Sequence, residues 1–258
     1  MNANNELGAE LRRLHDAPEL LQVVNVWDAI STRAIAALPD TRAIATASHS
    51  IAASHGYEDG ERIPLDLMLA AIGRIVDATD LPVSADLEAG YGDPGETIRR
   101  AIGVGAVGAN LEDGTRSFEE AVAAVRAAIA GAEAEGVPFA LNARTDVFLH
   151  DDQRPTEEKA REAVQRGRAF LDEGATCVFV PGLLDETVIE LLVGGLGMRK
   201  LSVIGVRGSV APARLEELGV ARVSYGPWTQ RLALTALQDA ARALYAGGVL
   251  PSGVRVLN

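Results

Sequence analysis

The chain alternates eight short apolar runs with longer amphipathic segments from end to end, and this alternation strongly limits the folds available to it. The runs are residues 23–27, 43–47, 83–86, 108–112, 139–144, 177–180, 201–206 and 222–224. Helical patterns follow them at 29–38, 64–78, 95–103, 117–135, 156–173, 185–192, 211–218 and 228–245. Short apolar runs between helices are typical of the buried strands of a parallel sheet.

Eight strand and helix pairs within 258 residues, with no linker or low-complexity segment, predict one α/β domain. We expect a (β/α)8 TIM barrel spanning residues 1–258, preceded by a short N-terminal helix. A doubly wound sheet is the alternative, and it would place a glycine-rich nucleotide fingerprint after the first strand. The first strand is followed instead by residues 28–31, DAIS, which contain no glycine.

A glycine-rich motif and the two lysines of the chain could suggest other chemistries, but their positions do not suit those chemistries. Residues 103–108 have the spacing G-x-G-x-x-G, but they close a helix and enter a strand, so they predict a helix cap and a tight loop. Schiff-base chemistry needs a lysine inside the barrel. The two lysines, Lys159 and Lys200, fall in a helix and before a strand, which excludes an amine nucleophile.

Composition narrows the choice of partners. The net charge of −12 argues against nucleic acid or an anionic membrane surface as a partner. The single Cys177 lies in an apolar run, which predicts a buried thiol and a reducing compartment. Neither a signal-peptide pattern nor an apolar stretch of about 20 residues is present, so we expect a soluble, cytoplasmic protein.

Charged residues cluster where the predicted strands end, which is the edge of a TIM barrel that carries active sites. Asp86 and Glu88 stand two positions apart, so on a strand they would project the same way. With Glu112, they offer the oxygen ligands that Mg2+ or Mn2+ prefers. The alternative is that these carboxylates only bond backbone amides or Arg144. Arg144 itself suits either a substrate carboxylate or neutralisation of the acids.

Histidines carry a weaker signal. His49, His55 and His150 lack the close spacing of a zinc site. His49 stands at the end of the second strand, where it is either a proton carrier or a loop histidine bonded to backbone. A phosphate cradle formed by residues 206–209 is a further alternative. It is the weaker one, because the sequence VRGS matches such a loop only faintly.

Five motifs in order resemble the isocitrate lyase and phosphoenolpyruvate mutase superfamily. They are NVWDA at 25–29, ASHGYED at 53–59, DLEAGYG at 86–92, LED at 111–113 and ARTD at 143–146. The resemblance implies a barrel enzyme that binds Mg2+ and a small 2-oxo or 2-hydroxy carboxylate. Such an enzyme is a lyase or mutase that works through an enolate, on an acid such as phosphoenolpyruvate, phosphonopyruvate, oxaloacetate or methylisocitrate.

The resemblance also implies roles for individual residues. The metal would be held by Asp86, with Glu88 and Glu112 binding its waters. Catalytic roles fall to Arg144, Asp59 and His49, and the expected substrate-binding residues are Trp27, Ala47, Ser48, His49, Asp86 and Arg144. It further implies a homo-oligomer, a dimer or tetramer, in which the C-terminal helix packs on a neighbouring subunit.

The chain departs from the family pattern in two places. Glu88 stands where the mutases have an aspartate, and it is one methylene longer. Lyases of the family carry a catalytic cysteine in a mobile loop after the strand that ends at Glu112, whereas this chain reads GTRSF at 114–118 and enters its helix. A carboxylate-binding protein that has lost catalysis with this loop is therefore the alternative to an enzyme.

Overall fold

The computed structural model describes residues 3–150 and 152–257, and it confirms the TIM barrel. Every strand pair is parallel. The strands are β1 Leu21–Val23, β2 Asn25–Val26, β3 Ile44–Thr46, β4 Val83–Asp86, β5 Gly108–Glu112, β6 Ala140–Arg144, β7 Cys177–Phe179, β8 Leu201–Ile204 and β9 Arg222–Ser224. Each of the eight predicted runs forms a strand, but the first is split in two and begins earlier than expected.

The split first strand closes the barrel. Its first half pairs with β9, through Leu21 and Arg222, and its second half pairs with β3, through Asn25 and Ala45. The Asn25 side chain crosses this seam, because its Nδ2 donates to the carbonyl oxygen of Thr46 at 2.8 Å. Its Oδ1 accepts from the backbone N–H groups of Tyr225 and Gly226 at 2.7 and 2.8 Å. One side chain therefore fixes both sides of the seam at the C-terminal mouth.

All eight helices expected after the strands are present. The helices are α1 Ala3–Asp16, α2 Ala29–Ala36, α3 Ser48–Ser54, α4 Leu65–Val76, α5 Pro94–Gly103, α6 Phe118–Ala134, α7 Thr156–Asp172, α8 Glu186–Leu196, α9 Pro212–Glu217 and α10 Trp228–Tyr245. At the start of α6, Ser117 and Glu120 form the capping box that their spacing indicates. Helix α3 was not predicted, because it is only seven residues long and rich in serine.

Helix α1 covers the N-terminal end of the barrel. Leu11 and Leu14 are buried there, and Leu11 packs against Gly108 at the start of β5. A Cβ atom at Gly108 would lie 2.6 Å from Leu11 Cδ2 and 2.8 Å from the carbonyl oxygen of Ala140, so only glycine fits. The glycine motif at 103–108 thus ends α5 and enters β5, as its context predicts, and it forms no nucleotide loop.

Other sequence expectations about single residues hold. Cys177 is fully buried. Lys200 lies at the N-terminal end of the barrel, where its Nζ is 3.0 Å from Asp16 Oδ1, and Lys159 lies in α7. Among the described residues, none of the helices combines the length and the apolar character needed to cross a lipid bilayer.

Candidate active site

A cavity of about 280 Å3 opens at the C-terminal mouth of the barrel. Its size suits a small ligand, since pockets for drug-sized molecules begin at roughly 300 Å3. The residues that line it are Asn25, Ala47, Ser48, His49, Asp59, Asp86, Asn110, Arg144, Leu149, Phe179, Pro181, Gly182, Leu183, Ile204, Val206, Ser224, Gly226 and Pro227. They lie at or just after the C-terminal ends of strands β2 to β9, where TIM barrels carry their active sites.

Asp86 is held rigidly at the end of β4. Its backbone N–H donates to Thr46 Oγ1 at 2.8 Å. Its carboxylate oxygen Oδ2 accepts from the backbone N–H of Ser48 at 3.0 Å and from the Ser48 hydroxyl at 2.8 Å. The other carboxylate oxygen, Oδ1, takes part in neither bond. Asp86 therefore lines the cavity with a fixed orientation and with one oxygen left for a ligand.

Glu88 does not follow the expected strand geometry. Strand β4 ends at Asp86, and Glu88 lies in a turn with φ of +51°, so the two-residue period of a strand does not apply to it. Its side chain is buried and accepts hydrogen bonds from the backbone N–H of Glu61 and, at 3.2 Å, from the Tyr91 hydroxyl. Glu88 thus stands behind the cavity wall and is absent from its lining.

Glu112 and Arg144 are directly opposite each other in the β5 and β6 register. Arg144 Nη1 lies 2.7 Å from Glu112 Oε2, and Arg144 Nε donates to Asp146 Oδ1 at 2.6 Å. The guanidinium also lies 5.9 Å from the centre of the Phe179 ring. Arg144 therefore neutralises two acids while its side chain lines the cavity.

Asp146 is itself fixed from behind. Its backbone N–H donates to Asp113 Oδ1 at 2.9 Å, and Asp113 Oδ2 lies 3.2 Å from Arg166 Nη1 on α7. Asp113 and Asp146 are both buried. Two ion pairs joined by a backbone hydrogen bond thus run from α7 to the Arg144 guanidinium and limit its movement.

The carboxyl groups of Glu88 and Glu112 both have raised pKa values. Burial raises the pKa of Glu88 to about 7, and the nearby Asp59 and Asp86 add to the shift. Burial also raises the pKa of Glu112 to about 8, with Arg144 opposing the shift and Asp146, Asp86 and Glu88 increasing it. The three acids predicted as metal ligands therefore lie within each other's electric field.

These acids suit a hard cation that keeps part of its water. In the described residues, no three His, Cys, Asp or Glu side chains are arranged to bind one ion directly. Mg2+ often takes only one or two protein carboxylates and retains several waters. The donor set of Asp86, with Glu88 and Glu112 outside the cavity lining, fits that mode, because a cation would favour the charged carboxylates and so oppose the burial and the repulsion that raise both glutamate pKa values.

The remaining predicted residues fall into two groups. Ala47, Ser48, His49 and Asp59 line the cavity with Asp86 and Arg144. His49 Nδ1 is buried with no hydrogen-bond partner in the described part of the chain. Trp27 is not among the lining residues, and its partly buried ring packs against the hydrophobic core.

Several residues that shape the site were not predicted from the sequence. Glu61 holds Glu88 through its backbone N–H and holds the Tyr91 backbone N–H through its side chain. The hydrocarbon wall formed by Leu149, Phe179, Leu183 and Ile204 was also missed. Apolar residues at strand ends resemble core residues in a sequence, so no local pattern distinguishes them.

The phosphoenolpyruvate phosphomutase family model matches residues 11–245 of this chain. The chain belongs to this family. The resemblance read from the five sequence motifs is thereby confirmed, and the site just described occupies the same barrel mouth as those motifs.

This chain is similar to the crystal structure of a candidate phosphonomutase from Burkholderia cenocepacia J2315. It is 41% identical, with a TM-score of 0.86, over 92% of this chain and 99% of that one. The structure of oxaloacetate acetylhydrolase with its product oxalate is 26% identical, with a TM-score of 0.84, over 96% and 91% of the two chains. An uncharacterised protein of Mycobacterium tuberculosis is 32% identical over 236 residues, covering 89% of this chain and 86% of that protein.

Proposed function

We propose that this protein is an Mg2+-dependent lyase, or a related hydrolase, acting on a small 2-oxo or 2-hydroxy carboxylate through an enolate intermediate. The observation that carries the proposal is the fixed carboxylate of Asp86, beside Arg144, in a small cavity at the C-terminal mouth of the barrel. Family membership supports it, because relatives named as an acetylhydrolase of oxaloacetate and a candidate phosphonomutase share this fold.

The metal would be held by Asp86, while Glu88 and Glu112 would bind its waters. When bound, Mg2+, or Mn2+ in its place, supplies a Lewis acid that polarises the carboxylate and oxo oxygens of the substrate. The donor set is entirely oxygen, which is the preference of both ions.

Arg144 would orient the substrate carboxylate. Its ion pairs with Glu112 and Asp146 fix the plane of the guanidinium, so little conformational entropy is lost when a substrate binds. The backbone around Ala47, Ser48 and His49 would receive the other end of the acid group, and Asp59 would close the rim. The Ser48 N–H donates to Asp86 in this structure, so it holds the proposed metal-binding carboxylate and is not itself part of that cradle.

Proton transfer is assigned to His49. Its Nδ1 is buried and unpartnered within the described residues, and its side chain lines the cavity. Tyr91 is a second candidate, but burial and the neighbouring Glu88 raise the pKa of its phenol, and its hydroxyl donates to Glu88. Tyr91 therefore remains protonated, and its role is to hold the Glu88 carboxylate in place.

The connection between β5 and α6 argues against chemistry that needs a cysteine acid in that loop. Only residues 113–117 separate the two elements. The Arg116 guanidinium fixes this connection by donating to the carbonyl oxygens of Glu112 at 3.0 Å and Ala89 at 2.7 Å. This short connection favours one rival function, a carboxylate-binding protein without catalysis.

One experiment separates the enzyme from the binder. The purified protein is incubated with MgCl2 and a panel of 2-oxo and 2-hydroxy acids, including oxaloacetate, phosphonopyruvate and methylisocitrate. Product formation is followed by mass spectrometry, and ligand binding by thermal shift. We expect Mg2+-dependent product formation that is lost in an Arg144→Gln variant. Stabilisation by an acid without any product would favour the binder.

We further propose that the protein assembles as a homo-oligomer through α10. Six large hydrophobic side chains of this helix are exposed: Trp228, Leu232, Leu234, Leu237, Leu244 and Tyr245. Exposed hydrophobic side chains in this number on one helix are typical of an interface. A cytoplasmic location stays a prediction from the sequence.

A further inference from the structure

The candidate cavity has two chemically different sides. The ends of β2 to β6 contribute its polar groups, among them Asp86, His49 and Arg144. The opposite side, from the ends of β7 and β8 and the loop after β6, is hydrocarbon. Its side chains are Leu149, Phe179, Pro181, Leu183, Ile204 and Val206. A bound molecule that reaches across the cavity therefore has one end among charges and the other end against hydrocarbon.

Among the described residues, the hydrocarbon side has no Arg or Lys of its own, although the Arg144 guanidinium lies 5.9 Å from the Phe179 ring, at the boundary with the polar side. Arg144 is the single Arg or Lys among the lining residues, it stands on the polar side, and it already pairs with Glu112 and Asp146. Arg207 is exposed and lines a separate groove with Val210, Pro212 and Leu215 on the other side of Val206. A second anionic group against this wall would lose its water without gaining a partner, which is costly.

The hydrocarbon side is also well placed to bind alkyl groups. Phe179 is buried at the end of β7 and supports the wall from below, while Leu149 and Leu183 are half-exposed or more at its lip. Burying a single methylene against such a wall contributes about 0.8 kcal/mol, so a branched group of a few carbons gains appreciable affinity.

We propose that the substrate carries an uncharged hydrocarbon group at the end remote from its 2-oxo or 2-hydroxy carboxylate. The inference rests on the proposed function and narrows it: acids whose far end is a phosphonate or a second carboxylate are poor ligands. The polar side binds the reacting carboxylate end, and the wall of Leu149, Phe179, Leu183 and Ile204 binds the alkyl end.

Three ligands test the proposal by calorimetry on the full-length protein in MgCl2. Oxalate lacks a far end and reports only on the polar side. The matched pair is 2-oxoglutarate and 5-methyl-2-oxohexanoate, in which an isopropyl group replaces the far carboxylate. We expect the alkyl acid to bind at least about tenfold more tightly than 2-oxoglutarate, the discrimination that unpaired polar groups produce in apolar pockets.

Variants at the lip give a second readout. Leu183 is 65% exposed, so Leu183→Lys leaves the fold intact and places a cation on the hydrocarbon side. We expect it to reverse the preference, so that 2-oxoglutarate binds more tightly than 5-methyl-2-oxohexanoate, because the far carboxylate then meets an opposite charge. Leu191→Lys, at a 48% exposed position on α8 outside the cavity lining, is the matched control and should retain the parent preference.

The outcomes distinguish this proposal from the one it rests on. Oxalate binding together with equal or tighter binding of 2-oxoglutarate by the parent overturns the hydrocarbon end alone. An Arg207→Ala variant that removes such a preference would identify Arg207 as the missed cation. Failure of all three ligands, oxalate included, overturns both proposals.

Discussion

Ser48 donates two hydrogen bonds to a single oxygen of Asp86, from its backbone N–H at 3.0 Å and from its hydroxyl at 2.8 Å. These bonds join the start of α3 to the end of β4 across two adjacent strands of the barrel. They hold Oδ2, so Oδ1 is the Asp86 oxygen with the larger remaining capacity to bind a cation.

Removing the charge of Asp86 should abolish Mg2+ binding without unfolding the barrel. Asp86→Asn keeps an oxygen that accepts from Ser48, so the local structure is preserved while the negative charge is lost. We expect Mg2+ affinity measured by calorimetry to fall by more than about 100-fold, since even changes to partners of metal ligands cost about 10–100-fold. Asp80→Asn, at an exposed position before β4, is the control. Unchanged Mg2+ affinity in Asp86→Asn would remove Asp86 from the site.

His15 should make the folded state sensitive to mild acid. The ring is fully buried in α1, with Nδ1 2.8 Å from the carbonyl oxygen of Leu11, and burial, helped by Arg222, lowers its pKa from 6.5 to about 4. The unfolded chain therefore binds a proton near pH 6.5 and the folded chain only near pH 4. The stability from His15 is complete above pH 6.5 and is lost as the pH falls toward 4, by at most about 3 kcal/mol.

The measurement is the free energy of unfolding by urea at several pH values between 7 and 4. A His15→Gln variant should lose less stability over this range than the parent, whatever its stability at pH 7. His55→Gln is the matched control, because His55 also contacts the carbonyl oxygen four residues earlier, at 2.9 Å, but is exposed. Parallel pH curves for the parent and His15→Gln would contradict the assignment.

Gly108→Ala should destabilise the junction between α1 and the barrel. The new methyl group would collide with Leu11 Cδ2 and with the backbone carbonyl of Ala140, which cannot move without shifting β6. Overpacking of this kind costs typically about 1–3 kcal/mol. Gly103→Ala, which has no heavy atom within 4 Å of the new Cβ, is the control and should be neutral or slightly stabilising. Thermal unfolding followed by circular dichroism measures both.

A charge on the exposed face of α10 should dissociate the oligomer. Leu237 is 66% exposed, and Leu237→Glu places a carboxylate among the exposed hydrophobic side chains of α10. We expect sedimentation velocity to show an assembly for the parent and a monomer for the variant, with unchanged circular dichroism. Leu38→Glu, at a 47% exposed position after α2, tests whether any added surface charge has this effect. A monomeric parent protein would refute the proposed interface.

The architecture could be predicted from the sequence, because local periodicity encodes the strands and helices of a barrel. Each predicted run produced a strand, and the capping box of Ser117 and Glu120 marked the start of α6. Asp86, Glu112 and Arg144 could also be placed at the barrel mouth, because each ends a strand and parallel strands end on the same side. Family resemblance then added their expected roles, which the experiments above test.

What the tertiary structure decided concerns contacts between residues far apart in the chain. Glu88 leaves the strand in a left-handed turn and meets Glu61, 27 residues earlier, so its position depended on a loop and not on strand periodicity. Arg144 reaches Glu112, 32 residues away, through the register of β5 and β6. The hydrocarbon wall combines Leu149, Phe179 and Ile204 from three segments. Local patterns specify which way a segment folds, whereas the shape and charge of a cavity arise only when distant segments meet.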